Sequence, residues 1–142
     1  MKEEILNKYS FTYTDHLVAL ANINIDETLY KGILCPLRGG FYISDFVSRK
    51  YNLPIYYMDI KSYKDDLRGA TQIIKADSLY EGNYLICDDI YDTGKTVEAI
   101  KQYYYNCTFD VYCLVSKQDT KDIKYDIKVP EDEWVEFWWE KV

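Results

Sequence analysis

Apolar and polar positions change period several times along the chain, and each change marks an element. Thr14 is a residue type that accepts a hydrogen bond from the first free N–H groups of a helix, and Leu17, Leu20, Ala21 and, less regularly, Ile23 then share one helical face. That spacing predicts a first helix over residues 14–24. Residues 31–37 (KGILCPL) form a short apolar run that stops at Arg38-Gly39-Gly40, after which Phe41, Ile43, Phe46, Val47 and Tyr51 recur at helical spacing. This reads as strand, glycine turn, helix. Residues 54–60 predict another strand, and the polar stretch 61–69 (KSYKDDLRG) predicts a mobile loop. Residues 83–87 (NYLIC) are strand-like and meet Asp88-Asp89, then a polar turn ending in Gly94-Lys95-Thr96; Val97, Ile100 and Tyr104 mark the next helix. Residues 109–115 predict a further strand, and residues 125–129 add one more.

Strands alternating with helices predict an α/β fold, a parallel twisted sheet flanked by helices on both faces. In such sheets ligands sit beyond the carboxyl ends of the strands. At 142 residues, with no internal repeat and no Pro/Gly/Ser-rich linker, the chain is expected to form one domain over residues 1–142. No apolar run approaches the roughly 20 residues of a membrane span. Met1-Lys2-Glu3-Glu4 does not open a signal peptide, so a cytoplasmic protein is expected. The formal net charge of −7 argues against a nucleic-acid partner, whose backbone is held by clustered Lys and Arg. Any phosphate must therefore be held locally. Cys35, Cys87, Cys107 and Cys113 form no C-x-x-C pair and read as reduced thiols, three of them in apolar runs. The 16 Tyr residues are scattered and form no tract.

Residues 85–97 (LICDDIYDTGKTV) carry the densest chemistry. A buried strand delivers two adjacent carboxylates, Asp88 and Asp89, which can accept hydrogen bonds from vicinal hydroxyls or hold a hard divalent cation. Behind them, the backbone N–H groups of residues 92–96 and the Thr93 and Thr96 hydroxyls can ring a phosphate at a helix N-terminus, and Gly94 permits close approach. The residues alone leave a plainer alternative, in which Asp92 caps the helix and Asp88-Asp89 are solvated. A Walker A loop is excluded by spacing, although Gly94-Lys95-Thr96 copies its end.

The same thirteen residues resemble the fingerprint of the type I phosphoribosyltransferases: an apolar tetrad or near it, two acids, and a turn of the form x-x-T-G-x-T. The resemblance implies that family's fold, with a mobile hood loop and a C-terminal base-binding segment. It implies that Asp88 and Asp89 contact the ribose hydroxyls of phosphoribosyl pyrophosphate (PRPP), Asp89 also meeting Mg2+. The turn Ile90, Tyr91, Asp92, Thr93, Gly94, Lys95 and Thr96 would hold the 5′-phosphate. Leu37, Arg38, Gly39 and Gly40 occupy the place of the family's pyrophosphate loop, with a cis peptide between Leu37 and Arg38; on residues alone, they are an ordinary strand-to-helix turn. Residues 62–69 take the place of the hood, with Arg68 reaching the pyrophosphate.

Within that family, position 92 is commonly Asp in enzymes for 6-oxopurines, Ala for adenine or uracil, Thr for orotate and Tyr in a pyrimidine-operon regulator. Asp92 therefore implies guanine, xanthine or hypoxanthine. The purine must lose or share a proton as N7 or N9 attacks C1′, and a nearby carboxylate can accept it, which makes Asp92 the expected catalytic base. Residues 111–117 (VYCLVSK) and 129–140 (VPEDEWVEFWWE) resemble the matching segments of bacterial xanthine-guanine phosphoribosyltransferases. By that resemblance Lys117 donates to the purine O6, Trp134 stacks on the ring, the Val135 backbone meets the base edge and Glu140 accepts from a guanine amino group. Ring stacking contributes about 1 kcal/mol or more. On residues alone, Lys117 is a solvated charge and the Trp-rich tail is packing or an oligomer contact; Trp138 and Trp139 are expected to be packing. His16 is expected to be structural or exposed. The combined expectation is a purine-salvage enzyme that takes PRPP, a purine base and Mg2+ and forms a dimer or tetramer. Two alternatives stand beside it: a nucleotide-sensing regulator of the same fold, and a transferase for another base.

Overall fold

The computed structural model of the chain describes residues 7–62 and 71–140. In chain order the elements are strand β1 (Lys8–Phe11), helix α1 (Tyr13–Asn22), β2 (Ile33–Leu37), α2 (Phe41–Tyr51), β3 (Ile55–Ser62), β4 (Thr71–Ala76), β5 (Asn83–Tyr91), α3 (Lys95–Tyr103), β6 (Thr108–Ser116), β7 (Ile123–Lys128) and β8 (Trp134–Phe137). Short 3₁₀ turns lie at Glu27–Leu29 and Trp138–Glu140. The central sheet runs β4-β3-β2-β5-β6-β7, and every neighbouring pair is parallel except β3 with β4. The expected parallel α/β architecture is thus observed, with one antiparallel strand at its edge.

Both faces of the sheet are covered, which is why β2, β5 and β6 read as nearly continuous apolar runs. Successive strand side chains point to opposite faces. Ile33, Leu85, Cys87, Tyr112 and Leu114 pack with Ala19 of α1 and Ile43 and Val47 of α2. Leu34, Ile86, Val111 and Cys113 pack with Val97 and Ile100 of α3. The chain leaves β2 toward β3 on one side and leaves β5 toward β6 on the other, so the strand order reverses between β2 and β5. A crevice outside the carboxyl ends of two such strands is where this class of sheet binds ligands.

Several boundaries differ from the sequence expectation, each for a local reason. Helix α1 starts at Tyr13, not residue 14, because Thr12 is the N-cap: its Oγ1 accepts from Asp15 N at 3.1 Å while Asp15 Oδ2 accepts from Thr12 N at 3.0 Å. This reciprocal pair is a capping box. Ile23, placed within the helix by the expectation, is extended with ψ 126° and is buried against the sheet. Strand β3 continues through Ser62, two residues into the segment expected to be a loop, because β4 returns antiparallel beside it with Ser62 opposite Thr71. Strand β5 continues to Tyr91, opposite Ser116, so Asp88 and Asp89 lie inside the strand and do not follow it. The rest of the expected hood, with Arg68, falls outside the described residues. No helix among the described residues is long and apolar enough to cross a membrane.

A second, two-stranded sheet joins β1 to β8 in parallel, with Lys8 opposite Trp134 and Phe11 opposite Phe137. It turns the Trp-rich tail into a packed aromatic cluster. Trp139 stacks on Phe137 with ring centroids 4.7 Å apart, and Trp138 Nε1 donates to His16 Nδ1 at 3.0 Å. His16 is only 4% exposed and lies among the rings of Phe11, Tyr42, Trp138 and Trp139. Its Nε2 finds no partner among the described residues.

Burial lowers the pKa of His16 from its ordinary 6.5. The unfolded chain therefore binds this proton more readily than the folded one, so the stability it confers is present above pH 6.5 and is lost as pH falls below it. Protonation also puts a hydrogen on Nδ1, which can then no longer accept from Trp138. On acidification through this range the wild-type Tm should fall more steeply than that of His16→Phe. Parallel Tm curves for the two proteins would contradict this account.

Candidate active site

The loop leaving β2 and the strand β5 are packed together so closely that side chains are excluded between them. Gly40 N donates to Pro36 O at 2.9 Å, and the Leu37–Arg38 peptide is cis. A Cβ on Gly40 would stand 2.7 Å from the Cys87 carbonyl oxygen, and one on Gly39 would overlap the Asp89 carboxylate. The first turn of α2 is bolted to the same place, where buried Ser44 Oγ donates to Cys87 O at 2.8 Å. The Arg38–Gly40 turn and the acids of β5 therefore share one rigid corner.

Asp88 is buried at 8% exposure, and its Oδ1 accepts from Asp89 N at 2.9 Å; Asp89 Oδ1 accepts from Ile90 N at 2.7 Å. Burial raises the pKa of both carboxyls, Asp88 strongly, and the charge of Asp89 adds to the effect on Asp88. Glu140 raises Asp89 further. A pair of adjacent carboxylates held at a cost in this way is a hard-oxygen donor set that a divalent cation would relieve. No cluster of three or more metal-ligating side chains occurs among the described residues. Two adjacent carboxylates suit Mg2+, which is typically held by one or two carboxylates while phosphate oxygens and water complete its shell.

Beyond Tyr91 the chain turns into α3 through Gly94, whose φ of +86° is a left-handed conformation that side-chain-bearing residues adopt at a cost. Gly94 is the N-cap and no side chain caps the helix, so the alternative that Asp92 serves as the cap does not hold. Lys95 N donates to Thr93 Oγ1 at 3.4 Å, and the helix supplies no internal acceptor for the other N–H groups of its first turn, which a ligand beside the Thr96 hydroxyl can meet. Together these parts line a cavity of about 550 Å³. Its wall runs from Pro36 to Gly39 and from Asp88 to Val97, with Ile60, Cys113 and Trp134 completing it. That volume lies within the range of small-molecule and cofactor sites.

Of the residues singled out in the sequence, Leu37, Arg38, Gly39, Asp88, Asp89, Ile90, Tyr91, Asp92, Thr93, Gly94, Lys95, Thr96 and Trp134 meet on this cavity. Gly40 is buried behind it. Lys117 lies outside the lining but reaches it through Asp92, its Nζ 3.7 Å from Asp92 Oδ2. Val135 is buried away from the cavity wall, and Glu140 Oε1 accepts from Phe137 N at 2.9 Å, so that carboxylate is engaged within its own segment. Ile60, Pro36, Val97 and Cys113 were not singled out. The cavity position of Cys113 follows only from the pairing of β5 with β6, which sets it opposite Asp88. No local pattern marks that pairing.

The family model of the phosphoribosyl transferase domain matches residues 13–140. Solved structures share the fold. A purine phosphoribosyltransferase from Pyrococcus horikoshii is 23% identical with a TM-score of 0.79, and the match covers 96% of each chain. A xanthine-guanine-hypoxanthine phosphoribosyltransferase from Helicobacter pylori is 22% identical with a TM-score of 0.70, over 94% of each chain. A Neisseria gonorrhoeae protein with bound ppGpp is 20% identical with a TM-score of 0.68, over 99% of this chain and 93% of that one.

Proposed function

Because this chain belongs to the phosphoribosyl transferase domain family, we propose that it transfers the 5-phosphoribosyl group of PRPP to a 6-oxopurine, guanine, xanthine or hypoxanthine, with release of pyrophosphate. One observation carries the choice of base. Asp92, paired with Lys117, and Trp134 converge on the cavity that contains the acid pair and the α3 turn. An acid, a hydrogen-bond donor and a flat apolar face are what a purine with an oxygen at C6 requires.

In this reading the 5′-phosphate rests on the N–H groups that open α3, and the ribose hydroxyls donate to Asp88 and Asp89. Asp89, with Asp88, would hold the Mg2+ that the family generally uses, which would supply positive charge to the pyrophosphate side of the site. Arg38 adds positive charge to the same leaving group as the C1′–oxygen bond breaks and the purine nitrogen forms its bond to C1′. Lys117 donates to O6, Trp134 covers the ring, and Asp92 takes the proton that the purine gives up. The rigid corner of Gly39, Gly40 and Ser44 keeps the two halves of the sugar-phosphate site in register, so little ordering remains to be done on binding.

A second reading, a nucleotide sensor without transferase activity, draws on the Neisseria gonorrhoeae neighbour with bound ppGpp. The two separate when the protein is incubated with Mg2+, PRPP and each of guanine, xanthine, hypoxanthine, adenine, uracil and orotate. The proposed function expects nucleotide from the 6-oxopurines. Nucleotide from another base alone would replace the acceptor, and none from any base would favour the sensor.

A further inference from the structure

The exit of β6 ties together two walls of the cavity that are distant in sequence. Lys117 N donates to Tyr91 O at 2.9 Å, and Val129 N donates to Ser116 O at 3.0 Å. Between these backbone ties stands Gln118. Its Nε2 donates to the Asp92 carbonyl at 3.1 Å and to Glu131 Oε1 at 3.3 Å. A primary amide nitrogen carries two hydrogens, so one group makes both bonds at once. The backbone that aims it is fixed too, since Gln118 N donates to the fully buried Ser116 Oγ at 3.1 Å and that hydroxyl donates to Gln118 O at 2.7 Å.

The two ends of this bridge matter for different reasons. Asp92 is the residue assigned the purine proton. Glu131 lies in a turn closed by Glu133 N donating to Pro130 O at 3.1 Å, and that turn delivers Trp134, which is anchored by donation of its own N–H to Asn7 O at 2.7 Å. One side chain thus spans the wall that carries the base and the wall that carries the stacking ring.

We propose that Gln118 is a positioning residue for the purine, setting the spacing of Asp92 from Trp134 through its paired bonds to the Asp92 carbonyl and to Glu131. The inference rests on the proposed function for its purine assignment, and on the geometry for the coupling of the two walls. A Met at 118 keeps the length and loses both donors. A Glu keeps the length, donates nothing at neutral pH and faces the Glu131 carboxylate.

The test combines kinetics with amide hydrogen exchange on the ligand-free protein. Loss of the paired bonds in Gln118→Met should raise KM for guanine about ten-fold and leave KM for PRPP unchanged, with a larger rise in Gln118→Glu. Glu131→Gln, which keeps an acceptor, should stay near wild type; Glu131→Ala should follow Gln118→Met, and the double variant should be less than additive. Exchange should quicken in residues 91–94 and 131–134 together. A parallel rise in both KM values, additive variants, or exchange that quickens in one segment or neither would overturn the proposal. A wild type that forms no nucleotide from any purine overturns the proposed function instead, and the exchange result alone then decides whether Gln118 couples the two walls.

Discussion

Replacing Asp92 with Asn lowers kcat with guanine by about 10²- to 10⁴-fold, the range a positioned general base supplies, while KM for PRPP changes little. Asp92 lines the cavity wall between the turn that opens α3 and Lys117, and its carboxylate is half-exposed, so a proton taken from the purine has a short way out. Asn preserves the shape and the Asp92 carbonyl that Gln118 holds, and removes only the ability to accept that proton. Stopped-time assays of nucleotide formation with saturating PRPP measure the effect. Undiminished turnover by Asp92→Asn on all three 6-oxopurines would remove Asp92 from the chemistry.

The second large effect joins function to stability with opposite signs. The double variant Asp88→Asn/Asp89→Asn should lose roughly 10²-fold or more in kcat/KM for PRPP, the scale on which removing one charged or hydrogen-bonding group from a reacting site registers. The same variant should have a higher Tm than wild type in the absence of ligand. Asp88 is buried, desolvation raises the pKa of both acids, and the charge of Asp89 raises that of Asp88 further. The backbone bonds that each accepts, from Asp89 N and Ile90 N, go to Oδ1 and survive in Asn. Stability is thus given up at this corner for binding, as functional sites commonly do. A variant with lowered Tm and intact PRPP kinetics would reverse both halves of the account.

How far these features were legible in the sequence depended on whether they were local. The strand-acid-turn-helix pattern at residues 85–97 was readable because each part is adjacent to the next, and the cavity wall reproduces that order from Asp88 to Val97. The core strands were readable because burial on both faces imposes continuous apolar runs. The pairing of β1 with β8 was not, since each strand has four residues and the partners lie at opposite ends of the chain. Glu140 illustrates a second limit. Its position matched the resemblance, but whether its carboxylate is free depends on the 3₁₀ turn at Trp138–Glu140, which brings it back onto Phe137 N. Gln118 was silent in the sequence because its role is defined by two residues, Asp92 and Glu131, that only the fold brings together.

The most direct test of the central claim is product stoichiometry. With Mg2+, PRPP and guanine, chromatography should find GMP and pyrophosphate accumulating in equal amounts, with hypoxanthine and xanthine behaving likewise. Pyrophosphate released without any nucleotide, or no consumption of PRPP with any of the three bases, would contradict it.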